Sequence, residues 1–146
     1  MKIAVVDGQG GGIGKALVEA IRSSQELKKI MSQPVEVYAF GTNALATSLM
    51  IKAGADYGAT GENPILVNAS KMDYIMGPIG IISANALLGE LTPKMAEAIS
   101  AASAGKILIP IHKCNIKVAG VPSKSLYAYV EDALEHLISE IKSNCL

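Results

Sequence analysis

Five glycines crowd into seven residues of this chain, at Gly8, Gly10, Gly11, Gly12 and Gly14, directly behind Asp7. A short apolar, β-branched run over residues 2–6 precedes them. Apolar residues then recur at helical spacing at Ile13, Leu17 and Ile21. Strand, glycine turn and helix is the arrangement that brings the backbone N–H groups of a helix N-terminus up to a phosphate. Glycine serves there because a Cβ would block the tight turn or the close approach of the ligand. Asp7, Gly8, Gly10, Gly11, Gly12, Ile13 and Gly14 are therefore expected to bind a phosphate-bearing ligand. A purely structural use of the glycines, for close packing of helix on strand, stays open. Asp7 would repel a diphosphate unless its carboxylate faces the helix N–H groups or a ribose hydroxyl.

Three further groups fall at strand ends, which share one edge in an open parallel sheet. The second strand closes with Phe40-Gly41-Thr42-Asn43, without the acid that holds NAD ribose hydroxyls or the arginine that holds an NADP phosphate. Thr42 and Asn43 can hydrogen-bond either group, and both are also good N-caps for a helix over residues 44–52. Gly77, Pro78 and Gly80 follow the third strand and are expected to sit beside the first glycine loop, on the nicotinamide side. His112 and Cys114 follow the fourth. A Cys–His pair makes a thiolate nucleophile when the side chains meet, and these are the weak catalytic candidates of the chain.

The spacing Gly8-x-x-x-Gly12-Ile13-Gly14 resembles the TGxxxGIG nucleotide loop of short-chain dehydrogenases, with Asp7 in place of the usual threonine. That resemblance implies NAD or NADP as cofactor. The family's Tyr-x-x-x-Lys pair has no counterpart: the residues four places after Tyr38, Tyr57, Tyr74, Tyr127 and Tyr129 are Thr42, Gly61, Pro78, Glu131 and Ala133. The loop is carried over; the dehydrogenase chemistry is not. Through DGQGGGIGKAL, GTNALAT, GATGENP, GPIGI and ELTPKMAEAI the chain also resembles a family of small, functionally uncharacterised bacterial proteins. This second resemblance implies a stand-alone Rossmann-like domain and no mechanism.

The elements that must position these groups follow from periodicity. Residues 13–31 read as one helix, ended by Pro34, and residues 35–40 as a strand. Gly54 closes the helix over 44–52, residues 56–63 read as a polar loop, and 65–69 as a turn of helix after Pro64. Residues 73–76 form the next strand, with a short helix over 83–88 beyond it. Thr92-Pro93 opens a helix that Gly105 ends. Residues 106–110 form a fourth strand, and residues 115–119 a fifth. The connection between these two is too short for a parallel crossover, so they must pair antiparallel or be one broken strand. Ser123 is expected to cap a last helix whose Leu126, Val130, Ala133, Leu137 and Ile141 make an apolar stripe.

The expected fold is thus a three-layer, Rossmann-like α/β domain spanning residues 1–146. Its sheet is mostly parallel, with the first four strands in the order 2-1-3-4 and an antiparallel strand at the edge. Formal net charge is zero, tryptophan is absent and there is one phenylalanine, which argues against nucleic acid and against an anionic membrane surface. Cys114 and Cys145 lie far apart without a CxxC, so no metal site is expected. A cytoplasmic, soluble homo-oligomer that binds NAD or NADP, as sensor or small oxidoreductase, is the leading expectation. A non-enzymatic interaction protein, or a phosphosugar-binding one, is the alternative.

Overall fold

Ile3 and Val5 of strand β1 (Lys2–Asp7) face one side of the sheet and Ala4 and Val6 the other, and all four are buried. A strand apolar on both faces needs a layer on each side, the usual condition of a central strand in a parallel sheet. The computed structural model, which describes residues 1–111 and 115–144, places β1 in that position. The sheet runs β3-β2-β1-β4-β5, with β2 at Glu36–Gly41, β3 at Tyr57–Thr60, β4 at Tyr74–Pro78 and β5 at Gly105–Ile109. Ile3 and Val5 pack with Leu17, Val18 and Ile21 of helix α1 (Gly12–Ser23) and with Leu137 and Ile141 of the last helix. Ala4 and Val6 pack on the opposite side with Ile65, Met95 and Ile99. The result is a three-layer α/β sandwich.

Every strand pair is parallel. The order of the four strands expected from sequence is as read, but the antiparallel edge strand is not seen. Residues 115–119 form no strand, and none of them is buried. Asn115 adopts φ 56, which breaks an extended run, and Ile116 and Val118 are only half-buried. The outermost strand on the other side, β3, comes instead from the segment read as a polar loop. It pairs with β2 from Tyr38–Tyr57 to Gly41–Thr60.

Helix boundaries differ at several places. Ser24 divides the helix expected over 13–31 into α1 and α2 (Gln25–Ile30). Its N–H still bonds the Ala20 carbonyl while its Oγ accepts the Leu27 N–H, so one residue ends α1 and caps α2. Helix α3 (Ala44–Lys52) is followed by Gly54 at φ 118, as read, and α4 covers Glu62–Asn68. Residues 83–88 form turns rather than a helix, because Asn85, Leu87 and Leu88 all adopt positive φ. Thr92 caps α5 (Pro93–Ala101) through its Oγ1 and the Met95 N–H, as expected, but Gly105 begins β5 instead of ending the helix. Ser125, not Ser123, caps α6 (Leu126–Asn144), its Oγ accepting from the Ala128 N–H. No helix among the described residues is long and apolar enough to cross a membrane.

Candidate functional site

Strand order reverses between β1 and β4, and a cleft of about 210 Å³ opens at the carboxyl ends of these two strands. Residues 7–13 form one wall; Pro78, Gly80 and Leu87 belong to the other. In open α/β sheets this reversal leaves a crevice, because the connections on its two sides leave in opposite directions.

The glycines of the first wall divide into two kinds. A Cβ on Gly14 would stand 2.6 Å from Met50 Sδ and 2.8 Å from Asp7 Cβ, so this glycine lets α1 sit against β1 and α3. Gly11 adopts φ 72, and its Cβ would lie 2.8 Å from Ala46 Cα. Gly8 is closed in by Thr42, Glu90 and Leu87. Packing accounts for these three. Gly10 and Gly12 are different: a Cβ on either would meet nothing within 4 Å, and neither has a positive φ. No contact among the described residues requires glycine there.

Asp7 is buried, with 4% of its surface exposed, and its carboxylate turns inward to the backbone. Oδ1 accepts from Gly8 N–H at 2.8 Å and Oδ2 from Gly14 N–H at 2.6 Å. Helix α1 has no side-chain cap at Gly11, so the end of β1 supplies the acceptor for its third N–H. A carboxylate at a helix N-terminus is stabilised by the aligned peptide dipoles. The N–H groups of Gly12 and Ile13, the first two of the helix, have no hydrogen-bond partner among the described residues.

A residue absent from the sequence-based site braces the glycine loop from outside the cleft. Glu90 lies just before α5, yet its carboxylate reaches back across the glycine loop. Oε2 accepts from Gln9 N–H at 2.6 Å and from Thr42 Oγ1 at 3.0 Å, while Oε1 accepts from Asn43 Nδ2 at 2.9 Å. Burial pushes its pKa up, but the Gln9, Asn43 and Thr42 hydrogen bonds outweigh this and hold it below the ordinary glutamate value. No local motif marks Glu90. Its only sequence signal is an acid on the connection that leaves β4, the strand beside β1.

Thr42 and Asn43 stand at the end of β2 and bind Glu90 rather than lining the cleft. Asn43 is also the N-cap of α3, its Oδ1 accepting from Ala46 N–H, and its Nδ2 donates to the Gln9 carbonyl. Pro78 and Gly80 line the cleft beside the glycine loop. Gly77 is inside β4, where its missing Cβ makes room for the Val6 carbonyl. His112 and Cys114 lie outside the described residues. Among the described residues no group of three or more His, Cys, Asp or Glu could hold a metal ion. The described lining offers backbone N–H groups, the Asp7 carboxylate, the Gln9 amide and apolar surface.

The class so defined is a parallel α/β sandwich with a glycine-lined crevice at its topological reversal. Over residues 2–142 the chain matches the family described as a domain of unknown function (DUF3842), and it belongs to that family. Among curated proteins, none matches the chain.

Proposed function

We propose that the cleft binds the phosphate group of a nucleotide, with NAD or NADP as the first candidates, in a Rossmann-like domain. The observation that carries this reading is the open space beside Gly10 and Gly12, next to the N–H groups of Gly12 and Ile13, which have no partner among the described residues. Glycine without a packing reason, at a helix N-terminus, leaves room for a ligand to approach the backbone. The strand order supports the same reading, since 3-2-1-4-5 is that of the doubly wound dinucleotide-binding sheets up to their fifth strand. Gly10, Gly11 and Gly12 would cradle the diphosphate, and Pro78 and Gly80 would border the nicotinamide side.

The cleft volume favours one further reading. At about 210 Å³ it falls below the roughly 300–1,000 Å³ usual for small-molecule sites. A dinucleotide would extend past it along the open strand edge, whereas a sugar phosphate would fit inside. Thermal unfolding against NAD, NADP, FAD, ATP and several sugar phosphates tests both. A ligand at about 100 times its dissociation constant adds about 2.7 kcal/mol, a shift of several degrees in a domain of this size. A shift with one dinucleotide supports the first reading, and a shift confined to sugar phosphates the second. No shift with any compound would contradict both and favour an interaction protein with structural glycines.

A further inference from the structure

We propose that Glu90 recognises the ribose of the bound nucleotide, accepting hydrogen bonds from free 2′- and 3′-hydroxyls and disfavouring a ribose that carries a 2′-phosphate. This rests on the nucleotide reading and adds a specificity to it. A nucleotide with its phosphate at Gly12 that extends to the β2 side, past the cleft that Glu90 does not itself line, would lay its ribose over the gap between the carboxyl ends of β1 and β2. The Glu90 carboxylate is pinned over that gap, by Gln9 on the β1 side and by Thr42 and Asn43 on the β2 side. The acid that the end of β2 lacks in the sequence is thus supplied from the connection after β4.

Three features suit the carboxylate to this task. Its three donors leave acceptor capacity unused, because an ionised carboxylate has about four lone-pair sites. All three donors are neutral, and no Lys or Arg pairs with it among the described residues, so the negative charge a 2′-phosphate would meet is not neutralised. Its backbone is also braced. Asn85 N–H bonds the Leu91 carbonyl at 2.8 Å, Leu91 N–H the Ala86 carbonyl at 3.2 Å and Glu90 N–H the Leu87 carbonyl at 3.1 Å. Leu87 and Leu88, at φ 57 and 56, hold a conformation costly for branched side chains. The connection spends strain to set Glu90 in place.

The test is calorimetric titration of the wild-type chain and of Glu90→Gln with NAD, NADP and inorganic pyrophosphate, with thermal unfolding as the check on folding. Glutamine keeps the shape and one acceptor oxygen, so the fold should persist. Wild type should bind NAD at least about tenfold more tightly than NADP. Glu90→Gln should weaken NAD by about 10- to 100-fold, the usual worth of a charged hydrogen-bond partner, and should narrow the preference over NADP. Pyrophosphate, which has no ribose, should bind the variant no more weakly than wild type. Tighter or unchanged NAD binding by Glu90→Gln would overturn the assignment and make Glu90 an internal plug, as would equal wild-type affinity for NAD and NADP. Binding of pyrophosphate without either dinucleotide would overturn the role of Glu90 and leave the phosphate cradle standing. Failure of pyrophosphate as well would overturn both.

Discussion

Aspartate in place of Gly12 separates ligand binding from folding more cleanly than any other substitution in the glycine loop. A Cβ at this position meets nothing within 4 Å, so the new side chain projects into open space. Gly12 is the first residue of α1, and the first turn of that helix carries no acid. Removing a helical glycine is worth about 0.5–1 kcal/mol, and an acid in the first turn adds about 0.3–1 kcal/mol through the helix dipole. Repulsion from the nearby Asp7 carboxylate offsets part of this. A net gain of about 1 kcal/mol would raise the melting temperature by roughly 3–4 °C. Binding moves the other way. A carboxylate about 4 Å from a phosphate charge, at an effective dielectric of about 20, costs about 4 kcal/mol, or roughly a thousandfold in affinity. Thermal unfolding and calorimetric titration of the same preparation read both quantities. A Gly12→Asp variant that unfolds, or that binds pyrophosphate as wild type does, would refute the reasoning.

Three further outcomes follow from the same geometry. Gly14→Ala should destabilise the protein by about 1–3 kcal/mol, as overpacking does, because its methyl would press on Met50 and Asp7; chemical denaturation measures it. Glu90 has a folded pKa below its ordinary value of 4.5, so the stability it contributes is present above that value and lost as pH falls through the lowered one. Wild type should therefore lose stability faster than Glu90→Gln as pH drops below about 4.5 in urea titrations. Tyr38 donates its hydroxyl to Glu36 Oε2 at 2.7 Å, and this bond, with partial burial, raises its pKa to about 12. Ultraviolet titration should find Tyr38 titrating late in wild type and earlier in Glu36→Gln, while Tyr127, raised by its own bond to Glu131, should not move.

The sequence displayed the parts of the fold whose residues repeat a pattern. β1, the glycine turn and α1 were legible because an apolar run, clustered glycines and a helical period follow one another without interruption. Thr92-Pro93 announced α5 by local chemistry alone. β3 was hidden because Tyr57–Thr60 is short, contains Gly58 and leaves three of its four residues exposed, so it shows no alternation. The antiparallel strand read into residues 115–119 rested on a connection too short for a parallel crossover, and the fold leaves its Ile116 and Val118 half-buried and outside any strand.

The site was legible by the same division. Residues adjacent in sequence, from Asp7 to Ile13, line one cleft, and Pro78 and Gly80 join them because parallel strands bring their carboxyl ends to one edge, whereas Gly14 serves packing. Nothing distinguished Gly10 and Gly12 from Gly8, Gly11 and Gly14 beforehand, since the distinction lies in what packs beside each Cβ. Glu90 is 81 residues from Gln9, and its reach depends on positive φ at Asn85, Leu87 and Leu88, which non-glycine residues do not advertise. Asn43 shows both sides at once: its capping of α3 was readable locally, and its grip on Glu90 was not.

The most direct measurement is a ¹⁵N–¹H correlation spectrum of the protein titrated with pyrophosphate and then with NAD. Phosphate binding at the helix N-terminus predicts saturable shifts centred on the Gly10, Gly12 and Ile13 amides, with NAD extending them to Gln9 and Asn43. Saturable shifts centred elsewhere, or no shifts at millimolar ligand, would contradict it.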